Sequence, residues 1–345
     1  MVENANISTM LASVLDDVNG SIVPPIVQTS LFSFDSYQDF EDRMAGRTNQ
    51  AIYTRVQNPT VAAFEGMMAK IEGGEAAVGF ASGIAAITSS LLAFLKPGDR
   101  VACVEHVYPD TFKFMEQMLR PFGIETTYHS ASEFEENPEL LKGVKIAYLE
   151  SPSSIMFVPI DLGKVAEHAK SNGTLTMIDN SWATPVFQNP LTLGIDIVIH
   201  SASKYISGHS DTVAGVVVSS TQHIQQIRDL TLPLLGAKLA PFEAFLLTRG
   251  LRTLNARMMQ HQATANLFVD RLASLPQVLK VNSPGANFVP GLTGRSGLMS
   301  IEFDDSVDIQ TFSDRLRHFR LGVSWGGFES LILPAKVGLA QVGEQ

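Results

Sequence analysis

The 345-residue chain reads as an α/β protein, with a large unit built on a mostly parallel seven-stranded sheet and a smaller α+β unit after it. Three observations predict this. Between about 60 and 243, short apolar runs alternate with helical patterns, the order expected of a sheet with helices on both faces. Gly, Asn or Pro punctuates most joins, as in Lys96-Pro-Gly-Asp99 and Ser171-Asn-Gly173. After Pro241 the pattern changes to a long helical region and then to an alternating strand.

Residues 1–50 contain Pro24-Pro25 and few apolar runs, and they read as an extended arm. The strands are expected at 76–81, 100–106, 124–128, 144–149, 175–178, 197–200 and 215–218, with helices between them at 84–94, 111–120 and 162–170. Past 243, a helical region carries Arg249, Arg252 and Arg257, and Leu298-Met-Ser-Ile-Glu-Phe303 alternates as a strand. Asp308 then opens a helix that places Ile309, Phe312, Leu316 and Phe319 on one face. The expected division is an arm at 1–50, a large domain at 51–243 and a C-terminal domain at 244–345.

The most informative stretch is Ser201-Ala-Ser-Lys204-Tyr205, which follows the apolar run 196–200. A lysine at the mouth of an apolar core is costly unless its charge is lost, and covalent attachment of an aldehyde cofactor removes that charge. Upstream by 25 positions, Leu175-Thr-Met-Ile178 ends in Asp179. Ligands of open α/β sheets bind beyond the carboxyl ends of the strands, so both residues would face one crevice. Pyridoxal phosphate requires this pair: a lysine for its aldehyde and a carboxylate for its ring nitrogen. Ala81-Ser82-Gly83-Ile84 ends a strand and opens a helix, an arrangement whose backbone N–H groups suit a phosphate. Each residue also has a plainer reading: a surface lysine at 204, a turn residue at Asp179, a helix cap at Ser82 and a packing ring at Tyr108.

Composition excludes several classes. A net charge of −10, from 25 basic and 35 acidic residues, argues against nucleic-acid binding. The one cysteine, Cys103, sits in an apolar run and suits a reducing compartment. The start Met-Val-Glu-Asn-Ala-Asn lacks the pattern of a signal peptide, and the apolar stretch at 91–95 is too short for a bilayer, so no membrane partner and a cytoplasmic location are expected. GxGxxG, Walker A and HExxH patterns are absent, and the eight histidines lack metal-ligand spacing, so no metal is expected.

Taken in order, Tyr53-Thr-Arg55-Val-Gln-Asn58-Pro59-Thr60, Ala81-Ser82-Gly83, Tyr108, Glu150-Ser-Pro152, Asp179-Asn180, Ser201-Ala-Ser-Lys204-Tyr205 and Ser324-Trp-Gly-Gly-Phe-Glu329-Ser330 carry a resemblance over about 30–334. The chain resembles the pyridoxal-phosphate enzymes of cysteine and methionine metabolism, the cystathionine synthases and lyases and methionine γ-lyase. The resemblance implies an aspartate-aminotransferase-like (fold type I) domain and a cofactor carried on Lys204. It implies that Ser82, Gly83, Ile84, Ser201 and Ser203 hold the phosphate, with Tyr53 and Arg55 completing that pocket from a neighbouring subunit of a dimer or tetramer. Tyr108 would stack on the cofactor ring and, with Tyr53 and Lys204, serve catalysis.

The substrate implied is a small sulfur amino acid. Ser324 and Trp325, within Ser-Trp-Gly-Gly, and Ser154 resemble cystathionine β-lyases, which would place the chain in trans-sulfuration and methionine biosynthesis. Val323 matches methionine γ-lyases, whose cysteine two residues past the stacking tyrosine is Asp110 here. Cystathionine γ-synthase, γ-lyase and methionine γ-lyase activities are therefore alternatives to β-elimination. The resemblance also implies several tens of residues beyond 345, including an arginine that clamps the substrate carboxylate. Arg295 and Arg320 stand in the wrong context to replace it. A truncated C-terminal domain, exposed apolar surface and weakened substrate binding are expected, with a cofactor-binding protein of little catalysis as a further alternative.

Overall fold

A computed structural model describes residues 6–12 and 20–335. The seven strands are β1 (Ala76–Phe80), β2 (Arg100–Val104), β3 (Glu125–His129), β4 (Ile146–Glu150), β5 (Leu175–Asp179), β6 (Ile197–His200) and β7 (Gly215–Ser219). They form one sheet in the order β1-β7-β6-β5-β4-β2-β3. All pairings are parallel except those of β7, which runs antiparallel to both β1 and β6. The carboxyl ends of β1 to β6 therefore share one edge, where β7 begins.

Apolar clusters cover both faces. On one, the Gly83–Phe94 helix sets Ala86, Ile87 and Leu91 against Val78, Ile197 and Val217. On the other, the Pro59–Glu72 helix packs Phe64 and Met68 near Val216 and Val218, and the Leu162–Asn172 helix packs Val165 near Ile178 and Val198. Strands buried on both faces carry no polar alternation, which is why short apolar runs located them.

Helix ends obey local chemistry. Asn58 and Ser82 accept from the backbone N–H groups of Thr60 and Ala85, and Gly173 closes its helix at φ 67°. The expected helix at 111–120 begins earlier, at Pro109, and passes after Phe114 into a π turn, Met115–Leu119. The arm is not wholly extended, since Tyr37–Met44 is a helix capped by Ser36.

Beyond Pro241, two helices, Pro241–Arg252 and Leu254–Leu272, lead to the antiparallel pair β8 (Val278–Asn282) and β9 (Ser300–Phe303) and the short parallel pair β10 (Arg320–Leu321) and β11 (Leu331–Ile332). The helix opened by Asp308 is shorter than expected. It ends at Arg315, so Leu316 falls outside it, and Phe319 reaches its aromatic neighbour Phe268 from the following segment. The expectation about the tail at 340–345 lies outside the described residues.

Candidate active site

The edge at which β1, β2, β4, β5 and β6 end gathers most of the candidate residues. Strand β5 ends in Asp179, whose Oδ1 accepts from the Ser181 backbone N–H at 2.9 Å, a turn that fixes the carboxylate. Strand β6 ends one residue before Ser201, whose N–H donates to Ser181 Oγ at 2.6 Å. The turn that follows carries Lys204.

Lys204 is partly buried and its Nζ donates to Ser324 Oγ at 2.9 Å, while lying 5.2 Å from the centroid of the Trp325 ring. Trp325 in turn packs on Tyr205 with ring centroids 5.3 Å apart. Burial lowers the ammonium below its ordinary value, with Asp179 acting in the opposite direction. Close approach holds this arrangement together. A Cβ on Gly326 (φ 89°) would lie 2.8 Å from the Lys204 carbonyl carbon. Arg257 ties the same turn to the Pro241–Arg252 helix, donating to the carbonyls of Tyr205 at 2.6 Å in the turn and Gly250 at 2.8 Å in the helix. Burial brings that guanidinium down to about 10.

The β1 end supplies a helix N-terminus. Ser82 Oγ accepts from Ala85 N–H at 3.1 Å, and a Cβ on Gly83 would stand 2.7 Å from Ser201 Cβ and Oγ. Glycine thus lets the Ser201 hydroxyl reach the first turn of the helix, beside the partly buried Ile84. The Ser203 hydroxyl is already engaged with Ala214, donating to its carbonyl and accepting from its N–H at 2.9 Å.

Tyr108 stands half-exposed after β2, and its backbone N–H donates to Glu150 Oε1 at 2.8 Å. Ser154 hydrogen-bonds the same Glu150 carboxylate. Glu150 and Asp179 are register partners on β4 and β5, so two carboxyls share the end of the sheet. Burial raises both. Glu150 is pushed furthest, by burial and then by the Asp179 charge, while Ser181, His200 and Lys204 oppose the rise at Asp179. Like charges this close do not both ionise freely, and Glu150 is the more strongly raised of the two.

Sequence reasoning quoted Glu150 only as part of a motif, and its position beside Asp179 emerges from strand register. Arg257 was missed as a site neighbour because the carbonyls that tie it to the lysine's turn, those of Tyr205 and Ile206, lie some 50 residues away. Tyr53 and Arg55 are not brought to this group within the chain. Arg55 lies over the Tyr53 ring, 5.5 Å from its centroid, and donates to the Pro233 carbonyl at 2.8 Å.

The profile of the family described as Cys/Met metabolism PLP-dependent enzyme matches residues 9–345. The chain belongs to that family. An L-methionine gamma-lyase of Fusobacterium nucleatum subsp. nucleatum is 38% identical over 332 residues, covering 93% of this chain and 84% of its own. A cystathionine beta-lyase of Lactococcus lactis subsp. cremoris is 33% identical over 339 residues, covering 96% and 87%. The crystal structure of cystathionine gamma synthase from Xanthomonas oryzae pv. oryzae, in complex with aminoacrylate and cysteine, superposes with a TM-score of 0.89 at 32% identity, covering 99% of this chain and 89% of that one.

The architecture is accordingly fold type I, and the family's cofactor is pyridoxal phosphate. The donor set fits that group: an amine depressed by burial, a carboxylate on the next strand end, and a helix N-terminus flanked by Ser82 and Ser201.

Proposed function

We propose that this family member is a carbon–sulfur lyase that cleaves cystathionine or a related sulfur amino acid by β-elimination, releasing a thiol, pyruvate and ammonia. The observation that carries the reading is the seat of Lys204 Nζ, held by Ser324 Oγ beside the Trp325 ring and electrostatically coupled to Asp179. Bound pyridoxal phosphate supplies the electron sink that stabilises a carbanion at the substrate Cα.

The chain's own residues do the rest. Lys204 would hold the cofactor aldehyde, and its amine, when free, would take the Cα proton. Asp179 holds the proton of the ring nitrogen. Ser82, Gly83, Ile84, Ser201 and Ser203 hold the phosphate, with Tyr53 and Arg55 of the partner subunit in a homo-oligomer. An arginine fork suits phosphate, and Arg55 gives up only one carbonyl to serve there. Ser203 would contribute mainly through its backbone, since its hydroxyl is engaged. Tyr108 faces the reacting atoms, and Ser154, Ser324 and Trp325 line the substrate. The C–S bond at Cβ breaks, its electrons leave with sulfur, and a proton from the site neutralises the thiolate. Water then completes the release of pyruvate and ammonia.

Trp325 and Ser154 support the β-lyase reading. Elimination at Cγ, with 2-oxobutyrate as product, is the second reading, favoured by Val323 and by the methionine gamma-lyases among the relatives. The proposed division into arm (1–50), cofactor domain (51–243) and C-terminal domain (244–345) follows the change of architecture after Pro241. No described helix is long and apolar enough to cross a membrane, and a cytoplasmic location is proposed.

The deciding experiment incubates the purified protein with cystathionine and, separately, methionine, and identifies the keto acid. Pyruvate from cystathionine is expected; 2-oxobutyrate would transfer the assignment to γ-elimination. Borohydride should remove the visible absorption band and fix the cofactor to Lys204. A reduced adduct on another lysine would sink the site.

A further inference from the structure

We propose that Asp110 is a positioning residue for Tyr108 and the outlet through which protons leave that phenol. Tyr108 Oη donates to Asp110 Oδ2 at 3.1 Å, so the phenolic hydrogen is committed to that carboxylate and the oxygen's lone pairs remain available to accept. The carboxylate is itself held. Its other oxygen, Oδ1, accepts from Lys113 Nζ at 3.2 Å, one turn further along the Pro109–Phe114 helix. The Asp110 side chain is 49% exposed, enough to exchange protons with water.

The alternative to such an outlet is a phenolate, and the surroundings oppose it. Burial comes first, followed by Asp110 on the tyrosine's own helix, then Asp179 at the end of β5 and Glu150 at the end of β4; together they push Tyr108 up to about 12. A phenol that stays neutral at physiological pH accepts a proton only by passing its own onward. The balanced step has two linked transfers. A substrate ammonium gives one proton to Tyr108 Oη, while the phenolic proton crosses to Asp110 Oδ2, and Asp110 then loses it to water. Charge is conserved at the phenol throughout, and no phenolate forms.

This inference rests on Tyr108 being the site tyrosine of the proposed lyase, but its first test does not. In cofactor-free protein, tyrosinate absorption is titrated for wild type and for Tyr108→Phe, and the difference isolates the Tyr108 curve. The same subtraction is then made in Asp110→Asn, paired with Asp110→Asn/Tyr108→Phe. The midpoint, about 12 in wild type against an ordinary 10.0, should fall by a unit or more when the Asp110 charge is removed. An unchanged midpoint overturns the proposal whatever the protein catalyses.

The second test is the pH profile of kcat/KM for the loaded enzyme. Without the outlet, turnover needs a phenolate, so Asp110→Asn should lose tenfold or more near pH 7 and recover as pH rises towards the new midpoint. Asp110→Glu should restore part of the neutral activity. A loss that is uniform across pH, or no loss, would reduce Asp110 to a helix-surface residue and overturn the outlet.

Discussion

Gly83 shows how much chemistry one missing side chain allows. A methyl at this position would sit 2.7 Å from Ser201 Cβ and Oγ. Gly83→Ala must therefore push the Ser201 segment away from the helix N-terminus, at a cost of about 1–3 kcal/mol for an overpacked contact. The expected outcome is a cofactor dissociation constant raised about tenfold or more, with a smaller fall in melting temperature; equal affinity for wild type and variant would remove this cradle from the phosphate site. Glu150 and Asp179 set a second residue-scale expectation. Burial raises both carboxyls in the cofactor-free protein, so each holds its proton to higher pH than an ordinary carboxyl does. Their contribution to stability is complete below the ordinary carboxyl range and is lost as pH rises through the raised values. Cofactor-free wild type should therefore lose melting temperature relative to Asp179→Asn on going from about pH 4 to pH 7. Parallel curves would mean that the pair is solvated. The placing of Lys204 and Asp179 at one edge of the sheet was legible in the sequence because each follows an apolar run, where a charge needs a reason. The engagement of the Ser203 hydroxyl with Ala214 was not, since eleven residues separate them and no pattern marks the bond.

The elements were legible to within a residue or two wherever a strand is buried on both faces, as with β6 at Ile197–His200. They were less so where packing, rather than pattern, decides. Leu316 and Phe319 continue the helical spacing from Ile309, yet the helix stops at Arg315 because that unit gives it no fully buried residue to anchor. The break between the Pro241–Arg252 and Leu254–Leu272 helices was likewise invisible, and it has a purpose. Arg257 projects from the second helix back across the break, bonding Thr253 Oγ1 at 3.0 Å and Gly250 O at 2.8 Å while holding the Tyr205 carbonyl. A lysine cannot reproduce that fork. Arg257→Lys should cost about 1.5–3 kcal/mol for each charged hydrogen bond lost. It should also lower the cofactor content of the purified protein more than a surface Arg→Lys change does; full occupancy with an unchanged spectrum would confine Arg257 to stability.

At the scale of the whole molecule, the arm and the loop after it present Ile22, Leu31, Tyr37, Met44 and Tyr53 to solvent. A run of exposed apolar side chains flanking Arg55 is what a shared interface requires. Mixing inactive Arg55→Ala with inactive Lys204→Ala and reassembling them should restore part of the activity, because one site in the hybrid regains both residues. Hybrids that form and stay dead would mean that each site is built from one chain. The reversal of β7 has its own result for the lysine. Because β7 runs back beside β6, the segment 201–214 leaves and re-enters the sheet at the same edge, pinned at one end by Ser181 and at the other by the Ser203–Ala214 pair. A cord tied at both ends to one rail has little slack. The reach of Nζ is thus that of the lysine's own four torsions, with the backbone serving as a fixed pivot.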